Sequence, residues 1–123
     1  MPFEIKQPNT GVILQVAECD FSEEITFEKA CQICKDLGNG WRLPTSLELE
    51  LMYEQLHKNG KGSFKDTGYW ESSGRTFNFN YGRCLPRVKQ QRIQGFYYPP
   101  EMNHMRAVLS LHKPFGLSRL FRW

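Results

Sequence analysis

Trp41-Arg42-Leu43-Pro44-Thr45-Ser46-Leu47-Glu48-Leu49 is the stretch from which the rest of the chain can be read. It has the form of a strand end feeding a helix. Pro44 stops what precedes it, and Thr45 and Glu48 form a T-x-x-E capping box. In such a box the hydroxyl and the carboxylate satisfy two backbone donors that a helix start otherwise leaves unpaired. Leu49, Met52, Tyr53 and Leu56 then mark one apolar face, which Leu47 and Leu51 widen. His57 and Lys58 suit the negative end of the helix, and Asn59-Gly60 terminates it.

A second helix lies just upstream. Thr26 can cap it, Glu28 puts a negative charge in its first turn, and Gly38 is a natural stop. Phe27, Ala30, Cys31, Cys34 and Leu37 keep the spacing of one helical face, so the helix is expected over residues 27–37. Before it, Phe3 to Lys6 and Val12 to Ala17 read as short strands around the turn-rich Pro8-Asn9-Thr10-Gly11. After Gly62 the helical signals stop. Tyr69-Trp70-Glu71-Ser72 reads as a strand, and so does Thr76 to Tyr81, where Phe77 and Phe79 alternate with Asn78 and Asn80. Ser72-Ser73-Gly74 reads as a turn, and Gly82 as a strand end. Residues 83–104 form a long basic and aromatic stretch, after which Met105 to Leu111 is expected as a buried strand.

Composition fits one loop-rich α+β domain. A chain of 123 residues with 40% hydrophobic and 14% aromatic content can bury a real core and is too rich in large apolar side chains to be disordered. The net charge of +3 is too mild for a dedicated nucleic-acid binder. No run approaches the length of a membrane span. The N-terminus shows no leader pattern, so the cytoplasm is the default expectation, and the oligomeric state stays open.

The chemistry-bearing residues are sparse. Cys31-Gln32-Ile33-Cys34 has C-x-x-C spacing, but zinc would need a second ligand pair, and Cys19 and Cys84 stand alone. A redox pair would sit at a helix N-terminus, whereas this one falls mid-helix on the apolar stripe, so two buried, unreactive thiols are expected. His57, His104 and His112 fit no catalytic pattern. No metal site and no cofactor are expected. Trp41, Trp70, Phe77 and Phe79 are expected in the core.

The order of these blocks resembles the DUF1566 family, the domain found at the C-terminus of Legionella collagen-like proteins. Gly38-Asn39-Gly40-Trp41-Arg42-Leu43-Pro44-Thr45 matches the family's G-x-W-R-L-P-T-x-x-E-L block, and Tyr69-Trp70-Glu71-Ser72-Ser73 its Y-W-S-S block. Phe77-Asn78-Phe79 matches an aromatic strand, and Met105-Arg106-Ala107-Val108 the closing strand. The likeness spans roughly residues 26 to 111. It implies a C-type-lectin-like fold, in which two helices flank a small antiparallel sheet and a long irregular loop region carries ligand binding. Trp41 would then fill the core, Arg42 would tie a loop or a carboxylate, Pro44, Thr45 and Glu48 would start the helix, and Trp70 and Arg106 would serve the scaffold. Glu71 departs from the Y-W-S-S pattern, and Leu109 from the closing strand. Similar domains are often exported. The E-P-N, Q-P-D and W-N-D patterns of calcium-dependent lectins are absent from the sequence.

The functional expectation is a non-catalytic recognition domain that binds a glycan or a protein partner through residues 82–104. Its candidate contacts are Arg83, Arg87, Arg92, Tyr97, Tyr98, Glu101 and Asn103. A subunit of a surface or phage-like assembly is the alternative, with the apolar tail of residues 114–123 packing on the domain or on a neighbour. The formylglycine-generating enzymes share the R-L-P-T-x-x-E stretch, but they bind copper through two cysteines in their C-terminal half, where this chain has only Cys84.

Overall fold

A computed structural model describes residues 2–8, 10–85 and 101–112. The elements are β1 (Phe3–Lys6), β2 (Val12–Val16), α1 (Phe27–Leu37), α2 (Ser46–Gln55), β3 (Gly68–Trp70), β4 (Thr76–Asn78), β5 (Arg83–Cys84) and β6 (Val108–His112). The class is α+β, as expected. The strands form two antiparallel sheets of three, ordered β1-β2-β6 and β3-β4-β5, where the sequence suggested a single small sheet.

Both helices start where their capping residues stand. The Thr26 hydroxyl accepts from the Lys29 amide, and Thr45 with Glu48 forms the reciprocal box. In α1 the buried stripe is narrower than its spacing suggested. Ala30 and Cys34 are buried, while Cys31 and Leu37 are exposed, so the expectation of two buried thiols holds for Cys34 and fails for Cys31. Leu37 closes the last turn, beyond the reach of the core. In α2 the face Leu49, Met52 and Leu56 is buried, but Leu47 is exposed. At ~100° per residue Leu47 points ~200° from Leu49, to the far side of the helix. The α-helix ends at Gln55, and a 3-10 turn over His57–Asn59 carries the chain to Gly60.

Strand alternation builds the main core. Ile5 faces Leu14 and Val16 faces Val108 across the first sheet, and all four are buried. With Leu49, Met52 and Leu56 of α2, and with Phe64, Tyr69, Phe77 and Phe79, they form one cluster. A second cluster lies under α1: Ile25, Ala30, Cys34, Leu43, Trp70, Met105 and Ala107. The Trp70 indole donates to the Ile25 carbonyl at 2.7 Å. Phe27 packs on the same ring.

The expected strand from Met105 begins only at Val108. Met105 and Ala107 are buried, but their carbonyls accept from the Phe21 and Ala17 amides, which belong to an irregular connection rather than a strand. In the same way Thr76 to Tyr81 is strand only to Asn78, whose side-chain oxygen accepts from the Asn80 and Tyr81 amides and turns the chain. Arg83 is then a strand residue of β5 rather than part of an irregular loop.

Arg106, expected from the sequence to serve the scaffold, is 1% exposed and reaches both core clusters' surroundings through its partners. Its guanidinium pairs with Asp20 at 2.8 Å, donates to the carbonyls of Ala17 and Gly62, and lies 4.1 Å from the centre of the Phe64 ring. The Tyr69 hydroxyl donates to the other Asp20 oxygen at 2.6 Å. A buried pair that loses one member leaves an uncompensated charge, which costs about 3–5 kcal/mol. Urea unfolding of Arg106→Met should show a loss of that size, and a loss below about 1 kcal/mol would contradict the assigned role.

Candidate functional site

The root of the segment 86–100 converges on one residue. Thr76, the first residue of β4, accepts the Leu85 amide on its carbonyl at 2.8 Å. Its hydroxyl donates to the Glu101 carboxylate and accepts from the Asn103 side-chain amide at 2.9 Å. That amide also reaches Glu101, at 3.2 Å. Both flanks of the segment are therefore fastened to the same strand residue.

The candidate contacts divide accordingly. Glu101 is exposed at this root, and Asn103 is buried at 7% exposure, its side chain packed against Gly68 and Thr76. A Cβ at Gly68 would stand 2.5 Å from the Asn103 Oδ1, so the close approach requires glycine. Asn103 also exchanges both backbone bonds with Ile25. Arg83 is exposed, and its register opposite Asn78 puts it on the face that carries Thr76, roughly 7 Å further along the strand. Its guanidinium stands 5.9 Å from the Tyr81 ring, and Tyr81 is 61% exposed. The structure thus brings Arg83, Glu101 and Asn103 to one face and adds Thr76 and Tyr81, which sequence reasoning missed. Tyr81 could have been read from its place beside a turn glycine. Arg87, Arg92, Tyr97 and Tyr98 lie outside the described residues, as does the tail of residues 114–123.

A separate cleft of about 580 Å³ lies between α1 and the start of α2. Cys31, Cys34, Lys35, Trp41, Arg42, Leu43, Thr45 and Ser72 line it. Trp41 was expected to fill the core and instead is only half-buried, packed at the edge of the second cluster. The reason is local. Gly38, Asn39 and Gly40 all take positive φ, and the tight turn they make brings Trp41 out at the rim, with the Trp41 amide bonded back to the Gly38 carbonyl. Trp41 also borders a smaller hollow of about 260 Å³ with Pro2, Ala17, Glu18 and Leu37.

Arg42 and Thr45 connect this cleft to a carboxylate network outside its lining. Arg42 holds Glu48 with two bonds of 2.7 and 2.8 Å, and its second terminal nitrogen also donates to the Ser110 hydroxyl at 2.6 Å. Burial pushes the Glu48 carboxyl up, but the bonds from Arg42 and Thr45 outweigh it and hold the group below the ordinary value of 4.5. Glu71, where the resembled family has serine, is 4% exposed and accepts from the Ser73 amide and hydroxyl and from Ser46. Burial raises it, the serine bonds lower it, and the net direction is again down. The two thiols behave differently. Burial raises Cys31, with help from the Glu28 charge, and burial raises Cys34 to about 11, with help from Cys31. Both are thiols, not thiolates, at neutral pH.

No known family model, curated protein or solved structure matches the chain.

Because Glu48 is lowered in the folded state, its contribution is fully present above 4.5 and is lost as pH falls through the lower folded value. Glu48→Gln should be less stable than the parent at pH 7 and should lose less stability on acidification below 4.5. Glu71 keeps some acid sensitivity in the variant. Parallel acid-unfolding curves would contradict the assignment to Glu48.

Proposed function

We propose that this chain is a non-catalytic recognition domain of C-type-lectin-like form, related to the DUF1566 family, which binds a glycan or a protein partner at the root of the segment 86–100. The observation that carries this reading is the double fastening of that segment on Thr76. A segment rich in Arg, Lys and Tyr gains binding strength when its ends are fixed in advance, because less ordering entropy is lost on contact. Rigid frames with loops fixed at both ends are common carriers of recognition.

The chemistry of the face supports the same reading. Arg83 and Tyr81 present a cation and a ring together, a pairing that suits sugar rings and acidic groups. Arg87, Lys89 and Arg92 add positive charge in the segment itself. Glu101 supplies an acceptor on the face that carries Thr76. The element order supports the lectin-like assignment: two strands, two helices, a short-strand sheet, and a last strand that returns beside the second one.

A glycan array screened with the parent chain, followed by titration of the best ligand, tests the proposal. Replacing Arg83 and Tyr81 with alanine should weaken binding about 30-fold, the scale of a hot-spot loss near 2 kcal/mol. Thr76→Val should weaken it as well, through the loosened root, while stability falls by about 1–3 kcal/mol because the buried Asn103 amide loses a partner. If the array is empty, immobilised chain and the Arg83/Tyr81 variant are compared for retained proteins. Equal binding by parent and variant would show that this face is not the site.

A further inference from the structure

We infer that Cys31 and Cys34 form a two-sulfur site for a soft monovalent cation of the Cu(I) type, in the cleft they share with Trp41. This goes beyond recognition at the loop root and uses none of its residues. Both thiols line the same cleft, one from an exposed position and one from beneath it. They stand three residues apart on α1, so they face the same side on successive turns.

Helix geometry decides what such a pair can do. Side chains three apart hold their Cβ atoms ~5–6 Å from one another. A disulfide needs about 3.5–4.5 Å, so direct S–S bonding would require the turn to deform. One metal ion bridging two thiolates adds two bonds of about 2.3 Å each, taking the zinc–sulfur length as a guide, and spans the gap without moving the backbone. The helix is well held at this point, since Ala30 and Cys34 are packed into the second cluster.

The donor set selects the ion. Zinc asks for four ligands, and the cleft lining offers two sulfurs with no histidine and no carboxylate. Among the described residues no group of three or more His, Cys, Asp or Glu could hold a metal. Thiolate pairs suit soft Cu(I), which accepts low coordination. Uptake replaces two protons: each S–H bond breaks, two Cu–S bonds form, both protons pass to solvent, and no electron is transferred. The product carries one net negative charge, and Lys35 on the cleft wall offsets it. Because uptake releases two protons, affinity should rise with pH as the proton competition falls.

Anaerobic titration of the reduced full chain with Cu(I), in competition with a chromophoric Cu(I) chelator, tests the site. One equivalent should bind with near-ultraviolet thiolate-to-copper absorption, a change in tryptophan emission from Trp41, and tighter binding at higher pH. Cys31→Ser changes an exposed side chain and should keep the fold while weakening binding by more than about 100-fold, beyond the usual loss for an outer partner. Cys34→Ala should do the same. A chain with Cys19 and Cys84 both changed to serine should bind as the parent does. The inference is overturned if the parent takes up no Cu(I), if Cys31→Ser retains full affinity, or if binding follows Cys19 and Cys84 instead.

Discussion

Glu48 is the point on which this small structure depends. A carboxylate has about four lone-pair directions, and here each has a donor. Oε1 takes Arg42 Nη1 and the Thr45 amide, and Oε2 takes Arg42 Nη2 and the Gln7 side chain. Those donors come from the chain leaving β1, from the link between the helices, and from the start of α2. Arg42 extends the network to β6, through the Ser110 hydroxyl and the paired backbone bonds with Val108. One buried charge thereby positions a helix start, a turn and two strands of the first sheet. Its burial is tolerable because a bidentate guanidinium and a backbone amide replace the water it gave up.

Arg106 repeats the device on the other side of the core. It gathers Asp20, the Ala17 carbonyl and the Gly62 carbonyl, and Asp20 in turn holds the Tyr69 hydroxyl. Burial pushes the Tyr69 hydroxyl strongly upward, and its bond to Asp20 adds to that, so it remains a donor at any physiological pH. The strands are short, two to five residues each, so the ladders alone give little rigidity. Two arginine–carboxylate knots supply it.

What could be read in advance follows from how local the signal is. The two helix starts are set by side chains three residues from the amides they cap, so Thr26, Thr45 and Glu48 were legible without any tertiary knowledge. The first strands were equally clear, because alternation of Ile5, Leu14 and Val16 marks one buried face. The division into two sheets was not legible, since it depends on where Met105 and Ala107 send their carbonyls, and their partners lie more than eighty residues away. The same limit applies to the site. Composition marked Arg83 and Glu101 as polar candidates, but the role of Thr76 exists only through contacts with Leu85, Glu101 and Asn103.

Trp41 shows how a scaffold motif can shape a surface as well as a core. The three positive-φ residues before it turn the chain sharply enough to bring the indole out at the rim, and a Cβ at Gly40 would stand 3.2 Å from Leu109. Arg42, the next residue, points the other way into the Glu48 network. Successive residues of an extended stretch face opposite sides, so with Arg42 turned to Glu48, Trp41 and Leu43 turn to the second cluster, where Leu43 is buried and Trp41 packs at the edge. The block that organises the fold also places Trp41 in the cleft that the two thiols of α1 line, and Arg42 and Thr45, two of the residues that hold Glu48, line it as well.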